Sequence, residues 1–568
     1  MSTPIGDGAF LHGLELTVRA ELTEAESARP VDEAVGVPPD EWLFDPADAQ
    51  RDEVGLRSLL GAVEALEGDA GAAASGAETP AHGTAAGQVP NRAGADRSPA
   101  YARQVASAHP HGSGVAARDH CLSPVRAVDR PTGAARYGRM FRGLDPLGTD
   151  PELLMRAGGD GGICDATAVL DRLTTGGDDA TEAAGWPFFG QLVAHDITAD
   201  RSPIGGGVAP DALRNSRAPR LNLEIIYSDG PIGSPYLFDV HDPATFLLGP
   251  DGDDVPRNHQ GVALIGDPRD DVHLFALSLH VALLHAHNRI VDLLRGDGVP
   301  EAEVFDRART ALTWHYQWIV VRDFLPRLVG APLVEEVLAE GGRWFAPLPG
   351  EAYIPLEFAD AAFRYGHGQI RHTYRLVDGG PEVPLFPDLV GFGPRPADRR
   401  LDLAQLFDLP GRPPAQRAKR LDGRLAASLI GLPEQVTGAV DVAAYHSLAT
   451  RDLLRGETTG LPSGEAVARL IGVTPLTADE LEQSWPHGTP LWFYVLKEAE
   501  HRGGGDRLGP VGGRIVAEVL VGLLRADPTS YLVREPDWTP QLPAAGPRFG
   551  LADLLTLGVD RGRPAPAA

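Results

Sequence analysis

The sequence predicts a mainly α protein: a large single helical domain with few short strands and long irregular loops. Three observations carry that prediction. Apolar residues recur at helical spacing through DVHLFALSLHVALLHAHNRIVDLLRG (271–296), EVFDRARTALTWHYQWIVVRDFLPRLVG (303–330), PLWFYVLKEAEH (490–501) and VGGRIVAEVLVGLLRAD (511–527). The connections between these runs are rich in Pro and Gly, which punctuate a chain rather than extend its elements. Strand-like stretches are few and short, the best being RLNLEIIYSDG (220–230) and QIRHTYRLV (369–377).

Taken in order, residues 1–62 form an acidic N-terminal extension. One short amphipathic helix fits at its end, DEVGLRSLLGAVEALEG, where Val54, Leu56, Leu59, Leu60, Val63 and Leu66 keep helical spacing. Residues 63–109 are dominated by Ala, Gly, Ser, Thr and Pro, with too little apolar surface to offset ordering, and read as a flexible linker. From residue 110 to 568 the texture is that of the helical domain. Apolar residues make up 43% of the chain, enough for a substantial core.

Charge and cysteine content narrow the function classes. A net charge of -27 repels nucleic acid and anionic membrane surfaces but is indifferent to a small neutral substrate. Two cysteines, Cys121 and Cys164, make no disulfide framework. The N-terminus has no basic region followed by an apolar run, and no uninterrupted apolar stretch reaches about eighteen residues. The expected location is the cytoplasm, non-classical secretion aside.

Four short stretches place polar groups where packing alone does not call for them. WPFFGQLVAHD (186–196) puts Gln191 and His195 one helical turn apart on a face that begins with Phe188, inside an otherwise apolar segment. AAFRYGHGQIRH sets His367 between Gly366 and Gly368, which leaves room for something large against the imidazole. GDPRDD (266–271) is a turn that opens a long helix and holds Arg269 at its mouth, and RDLLRGETTGLPSG (451–464) carries Arg455 just before a turn. Each alone is more often ordinary core chemistry, a hydrogen-bonded buried histidine above all. His280, His285 and His287, spaced i, i+5 and i+7, do not converge on one ion. GPVGGRI follows no strand and is no dinucleotide loop.

In this order the stretches say more. HD, then GDPR, a helix ending HAHNRI, RDFLP, FRYGH, and LLRG with GLP resemble the animal-type haem peroxidase superfamily, most closely its bacterial branch. The resemblance runs from about residue 135 to about 532, roughly 70% of the chain. It implies a haem peroxidase that reduces hydrogen peroxide and oxidises a small organic or halide donor. It also implies that His367 is the proximal iron ligand, that His195 stands over the open face with Gln191 beside it, and that Arg269 stabilises developing negative charge. Arg364 and Arg455 match the propionate-binding arginines. Asp452 falls where the family has an asparagine on the axial histidine, and a carboxylate there gives the imidazole more anionic character.

The chain also departs from the family. Where mammalian members esterify the haem, it has Ala194 and Val272, which implies non-covalent haem b and argues against efficient chloride oxidation. The family's calcium site falls on Asp196, Asn222 and Glu224, where hard oxygens remain. The branch that oxygenates fatty acids needs a tyrosine three residues before the proximal histidine. Arg364 stands there, and Tyr365, one residue on, is rotated about 100° on a helix. Two readings stay open beside the peroxidase: a haem fatty-acid dioxygenase, and a haem-binding interaction protein docked on a protein partner through its N-terminal extension.

Overall fold

The computed structural model describes residues 137–169, 178–199, 215–249, 252–396, 398–438 and 442–558. The N-terminal helix, the linker and Cys121 lie outside the described residues. Helices take 48% of the structure and strands 7%, so the mainly α class holds.

The site is framed by six helices: α1 (Trp186–Ile197), α2 (Leu274–Gly296), α3 (Glu301–Ile319), α4 (Leu448–Thr458), α5 (Leu491–Gly503) and α6 (Pro510–Ala526). The long periodic runs fold as their spacing predicts. α2 is long and apolar enough by composition to cross a membrane, but 83% of its apolar window is buried, because it packs between α1 and α3 as the central helix of the core. α6 is buried on nearly every face, from Val511 to Leu524.

α1 starts at a proline, Pro187, whose missing N–H costs nothing in a first turn. Gly185, just before it, packs so closely under the Phe407 ring that an added Cβ would lie 2.3 Å from it. Phe324 fixes the other flank of α1, meeting the rings of Trp186 and Phe189. Phe324 ends a wide π turn, Val320–Phe324, that follows α3. Pro326 lies just beyond and has no N–H to continue the regular ladder, which accounts for the change of register there.

Strands serve as clips. β1 (Tyr137–Gly138) pairs in parallel with β3 (Ile354–Pro355), β2 (Asp179–Ala183) pairs antiparallel with β6 (Arg417–Lys419), and β4 (Thr373–Arg375) pairs antiparallel with β5 (Glu382–Pro384). The run 369–377 thus yields a strand, but 220–230 does not. Glu224–Tyr227 and Gly230–Gly233 are single helical turns, entered through Leu223 at φ +56°. The turn drives Tyr227 inward, where its hydroxyl meets His287 Nδ1 at 2.8 Å, and Gln317 takes the Leu221 carbonyl. The alternating pattern was therefore burial on all sides of a turn, a tertiary effect that periodicity does not distinguish from a strand.

Gly185→Ala should overpack the Phe407 contact and lower unfolding stability by roughly 1–3 kcal/mol. Denaturant unfolding measures it, and an unchanged midpoint would show that Phe407 yields freely.

Candidate functional site

A cavity of about 310 Å³ opens beside α1. Gln191 and His195 line it from α1, Arg269 and His273 from the turn before α2, and Arg364, Tyr365 and His367 from the short 3-10 helix Ala362–Gln369. Much of the remaining wall is apolar, including Phe188, Phe358, Phe363 and Phe386. Residues far apart in sequence are thereby brought onto one interior surface.

Two of the three imidazoles, those of His195 and His367, are held from behind by a buried carboxylate. His195 Nδ1 lies 2.7 Å from Asp270 Oδ1, with Asp270 1% exposed. His367 Nδ1 lies 2.6 Å from Asp452 Oδ2, with Asp452 0% exposed. The Nε2 atoms of both rings have no hydrogen-bond partner among the described residues, so each is left to the cavity. Asp270 binds a second imidazole as well, His280 Nδ1 at 2.8 Å. Burial alone would raise the Asp270 carboxyl, but the bonds from His195 and His280 outweigh it and hold the group below its ordinary value.

The glutamine is engaged too. Ala276 N–H donates to His273 Nδ1, which caps α2 and leaves the ring proton on Nε2. That N–H donates to Gln191 Oε1 at 3.0 Å. Burial, with the charge of His195 nearby, pulls His273 down to about 3, so it stays neutral. The side-chain amide of Gln191 thus has its oxygen satisfied and its NH2 group left to donate.

Arg269 lines the cavity, but its guanidinium is paired with Asp267 at 3.0 and 2.8 Å and caps the His195 carbonyl at 3.0 Å. It braces α1 as well as presenting charge. Arg364 donates to Asp452 at 3.1 Å and to the Ala359 carbonyl at 2.9 Å, so it orients the carboxylate behind His367. Arg455, one turn after Asp452 on α4, is not among the residues that line the cavity. Tyr365 was expected to point away, yet it shares the cavity wall with Arg364. The segment is a 3-10 helix, in which neighbours turn by about 120°, and the cavity extends far enough around it to take in both side chains.

The calcium expectation meets a different arrangement. Asp196 is fully buried, with Oδ2 accepting from Leu223 N–H at 3.0 Å and Oδ1 without a hydrogen-bond partner. Asn222 Oδ1 accepts from Glu224 N–H, and Glu224 meets Ala218 N–H and the Arg217 guanidinium at 3.4 and 3.5 Å. Arg217 also binds Asp267 and the Gly266 carbonyl. Burial, with Glu224 alongside, pushes the Asp196 carboxyl up to about 7. Calcium takes six to eight oxygens. Here every oxygen named except Asp196 Oδ1 meets a backbone N–H group or the Arg217 guanidinium, and a cation of the chain already stands among them, so the set does not fit a calcium cage.

For a haem the donors do fit. A flat apolar macrocycle matches the aromatic walls, His367 offers a free Nε2 with a carboxylate behind it, and Arg364 and Arg269 supply positive charge at the wall. Sequence reasoning missed Asp270, His273 and Arg217. Asp270 and His273 stood beside Arg269 in a stretch already singled out, and two acidic residues opening an apolar helix were the available signal.

Fold and site together define a helical protein with an imidazole-faced interior cavity. Residues 208–461 match the animal haem peroxidase family, a span that includes Arg269, Arg364, His367, Asp452 and Arg455 and begins after His195. Peroxidase mlt-7 of Caenorhabditis elegans is 31% identical over 120 residues, 20% of this chain and 16% of that protein. Thyroid peroxidase of Homo sapiens is 28% identical over 137 residues, 22% of this chain and 14% of that protein. The chain thus spans well under a fifth of the length of these relatives. Among solved structures, peroxidase A from Dictyostelium discoideum is 16% identical and covers 72% of this chain and 89% of its own, with a TM-score of 0.49. Fatty acid alpha-dioxygenase from Arabidopsis thaliana is 13% identical over 72% and 75%, with a TM-score of 0.47. Residues 208–461 are thus similar to the animal haem peroxidase family.

With Arg217 in place, millimolar calcium should leave the thermal midpoint unchanged, whereas an ion bound at a hundredfold its Kd would stabilise by about 2.7 kcal/mol. A calcium-dependent rise in a calorimetric scan, abolished by Asp196→Ala, would show that the cluster opens to the ion.

Proposed function

We propose that this chain is a haem-dependent peroxidase that takes hydrogen peroxide as oxidant and a small organic or halide donor as reductant. The observation that carries the reading is a cavity in which two of the three lining imidazoles, His195 and His367, each have Nδ1 on a buried carboxylate and Nε2 without a partner among the described residues. Peroxide is reduced to water by two electrons, and the donor supplies them.

His367 Nε2 would hold the iron, with Asp452 increasing the electron donation of the ring and Arg364 keeping Asp452 in place. When bound, the haem supplies the redox chemistry that side chains lack. His195 moves a proton: its Nε2 takes one from the near peroxide oxygen and returns it to the oxygen that leaves as water. Gln191, its oxygen fixed by His273, offers its NH2 group to hold peroxide or water in place. Arg269 places positive charge at the wall where negative charge develops. Ala194 and Val272 both line the cavity, and neither can form an ester, which supports non-covalent haem b. The kinship read from the sequence with the bacterial branch, and a cytoplasmic setting, belong to the same proposal.

A second reading rests on Tyr365. Its presence on the wall makes it a candidate radical site for fatty-acid oxygenation.

The haem-loaded chain should change its Soret spectrum on one equivalent of peroxide, and His195→Ala should slow that change by roughly 100- to 10,000-fold, the range of a positioned acid–base group. Haem binding without reaction in either protein would end the peroxidase reading. Oxygen uptake with a long-chain fatty acid, lost in Tyr365→Phe, would establish the second.

A further inference from the structure

We propose that Asp270 is the positioning residue for His195, fixing its tautomer, and that His280 sets the strength of that hold by sharing the same carboxylate. The proposal rests on the reading of His195 as the cavity base and adds two residues that the family resemblance does not assign.

The turn GDPRDD buries three carboxylates, and their partners differ in kind. Asp267 is bound by Arg217 and Arg269. Asp271 is bound by both terminal nitrogens of Arg257, each at 2.8 Å, and Asp254 shares that guanidinium. Asp270 has no guanidinium among its recorded partners. Its two oxygens take one imidazole each, Oδ1 from His195 and Oδ2 from His280. Guanidinium neutralises a buried carboxylate permanently, whereas an imidazole does so only as a hydrogen-bond donor that can also gain or lose a proton. The one carboxylate that reaches the cavity base is thus the one kept clear of permanent cations.

The consequence for His195 is specific. An ionised carboxylate accepts and cannot donate. His195 must therefore carry its proton on Nδ1, which leaves an Nε2 lone pair for the cavity. An imidazole with the opposite tautomer would present an N–H there and could not take a proton from a ligand. His280 places a second donor on the same group and draws off part of its acceptor strength. The surroundings add little competition for the pair. Other titratable or charged groups near His195 or Asp270 are Asp267, Arg269, His273 and Tyr316, with Asp271, paired to Arg257, beside His280. Asp196 follows His195 on α1, and Arg364 and His367 line the same cavity. Among these, Asp267 and Asp271 are already paired with arginine, and His273 is held neutral.

The test uses the haem-loaded full chain and cyanide, which binds as hydrogen cyanide and must leave its proton on the base beside it. Asp270→Leu should weaken cyanide binding by about 10- to 100-fold, the range seen when the hydrogen-bond partner behind a metal-ligating histidine is removed. His280→Phe should tighten it, because Asp270 then acts on His195 alone. Opposite signs cannot come from a general loosening of the core. If both variants weaken binding alike, or neither changes it, the proposal is overturned.

A second readout needs no haem. In the 15N-histidine-labelled chain, the His195 resonance, identified by its loss in His195→Gln, should show the Nδ1–H pattern in the wild type. It should move towards Nε2–H in Asp270→Leu or, if that variant fails to fold, His195 or His280 should do so in Asp270→Asn. A wild-type Nε2–H pattern would refute the tautomer assignment directly. His195→Ala separates the two levels of the argument. If it binds cyanide as the wild type does, the cavity-base reading fails. If it binds weakly while Asp270→Leu does not, only the role of Asp270 fails.

Discussion

Burying a carboxylate is costly unless hydrogen-bond donors meet it, and this chain buries two of them directly behind the imidazoles of one cavity. Asp270 ties α1 to the turn that opens α2, and Asp452 ties α4 to the 3-10 helix that carries His367. Neither carboxylate can relax towards water, so each pair fixes the distance between two elements as firmly as it fixes a ring. The elements around the cavity are arranged to satisfy those two groups. Arg364 closes the Asp452 side, and His280 closes the Asp270 side.

Packing holds the same elements from their other faces. Trp186 and Phe189 of α1 lock against Phe324, whose position depends on the π turn after α3, and Gly185 lets Phe407 come close beneath the start of the helix. His273 joins the two systems, since one nitrogen caps α2 and the other fixes the Gln191 oxygen. A proton-handling site gains from such stiffness, because the reacting groups must meet a small ligand to within a fraction of an ångström.

The positive charges show a division of labour. Arg217, Arg257 and Arg269 are committed to carboxylates of the turn before α2, and Arg217 reaches into the cluster around Asp196 and Glu224. What resembles a calcium site by its sequence pattern is, in three dimensions, a guanidinium-centred network. There Arg217 offsets the buried charge of Glu224 and Asp267, while Asp196 is met by the Leu223 N–H.

By itself the sequence determined the helical class, the extents of α1, α2 and α6 within a few residues, and two of the three cavity histidines, His195 and His367. Helical periodicity is local, and the motif order preserves chemistry without needing coordinates. The resemblance also singled out Asp452, at the position where the family has an asparagine. The sequence did not determine the turn at 224–227, where burial on every side imitates a strand, nor the wall position of Tyr365, which depends on how far the cavity extends around the 3-10 helix. Nor did it determine the partners. Asp270 lies 75 residues from His195, and Arg217 lies 50 residues from Asp267. Hydrogen bonds of that separation exist only once the chain has closed on itself. Their donors and acceptors are then matched by the requirement that nothing charged be buried alone, a condition on the folded volume and not on any stretch of sequence.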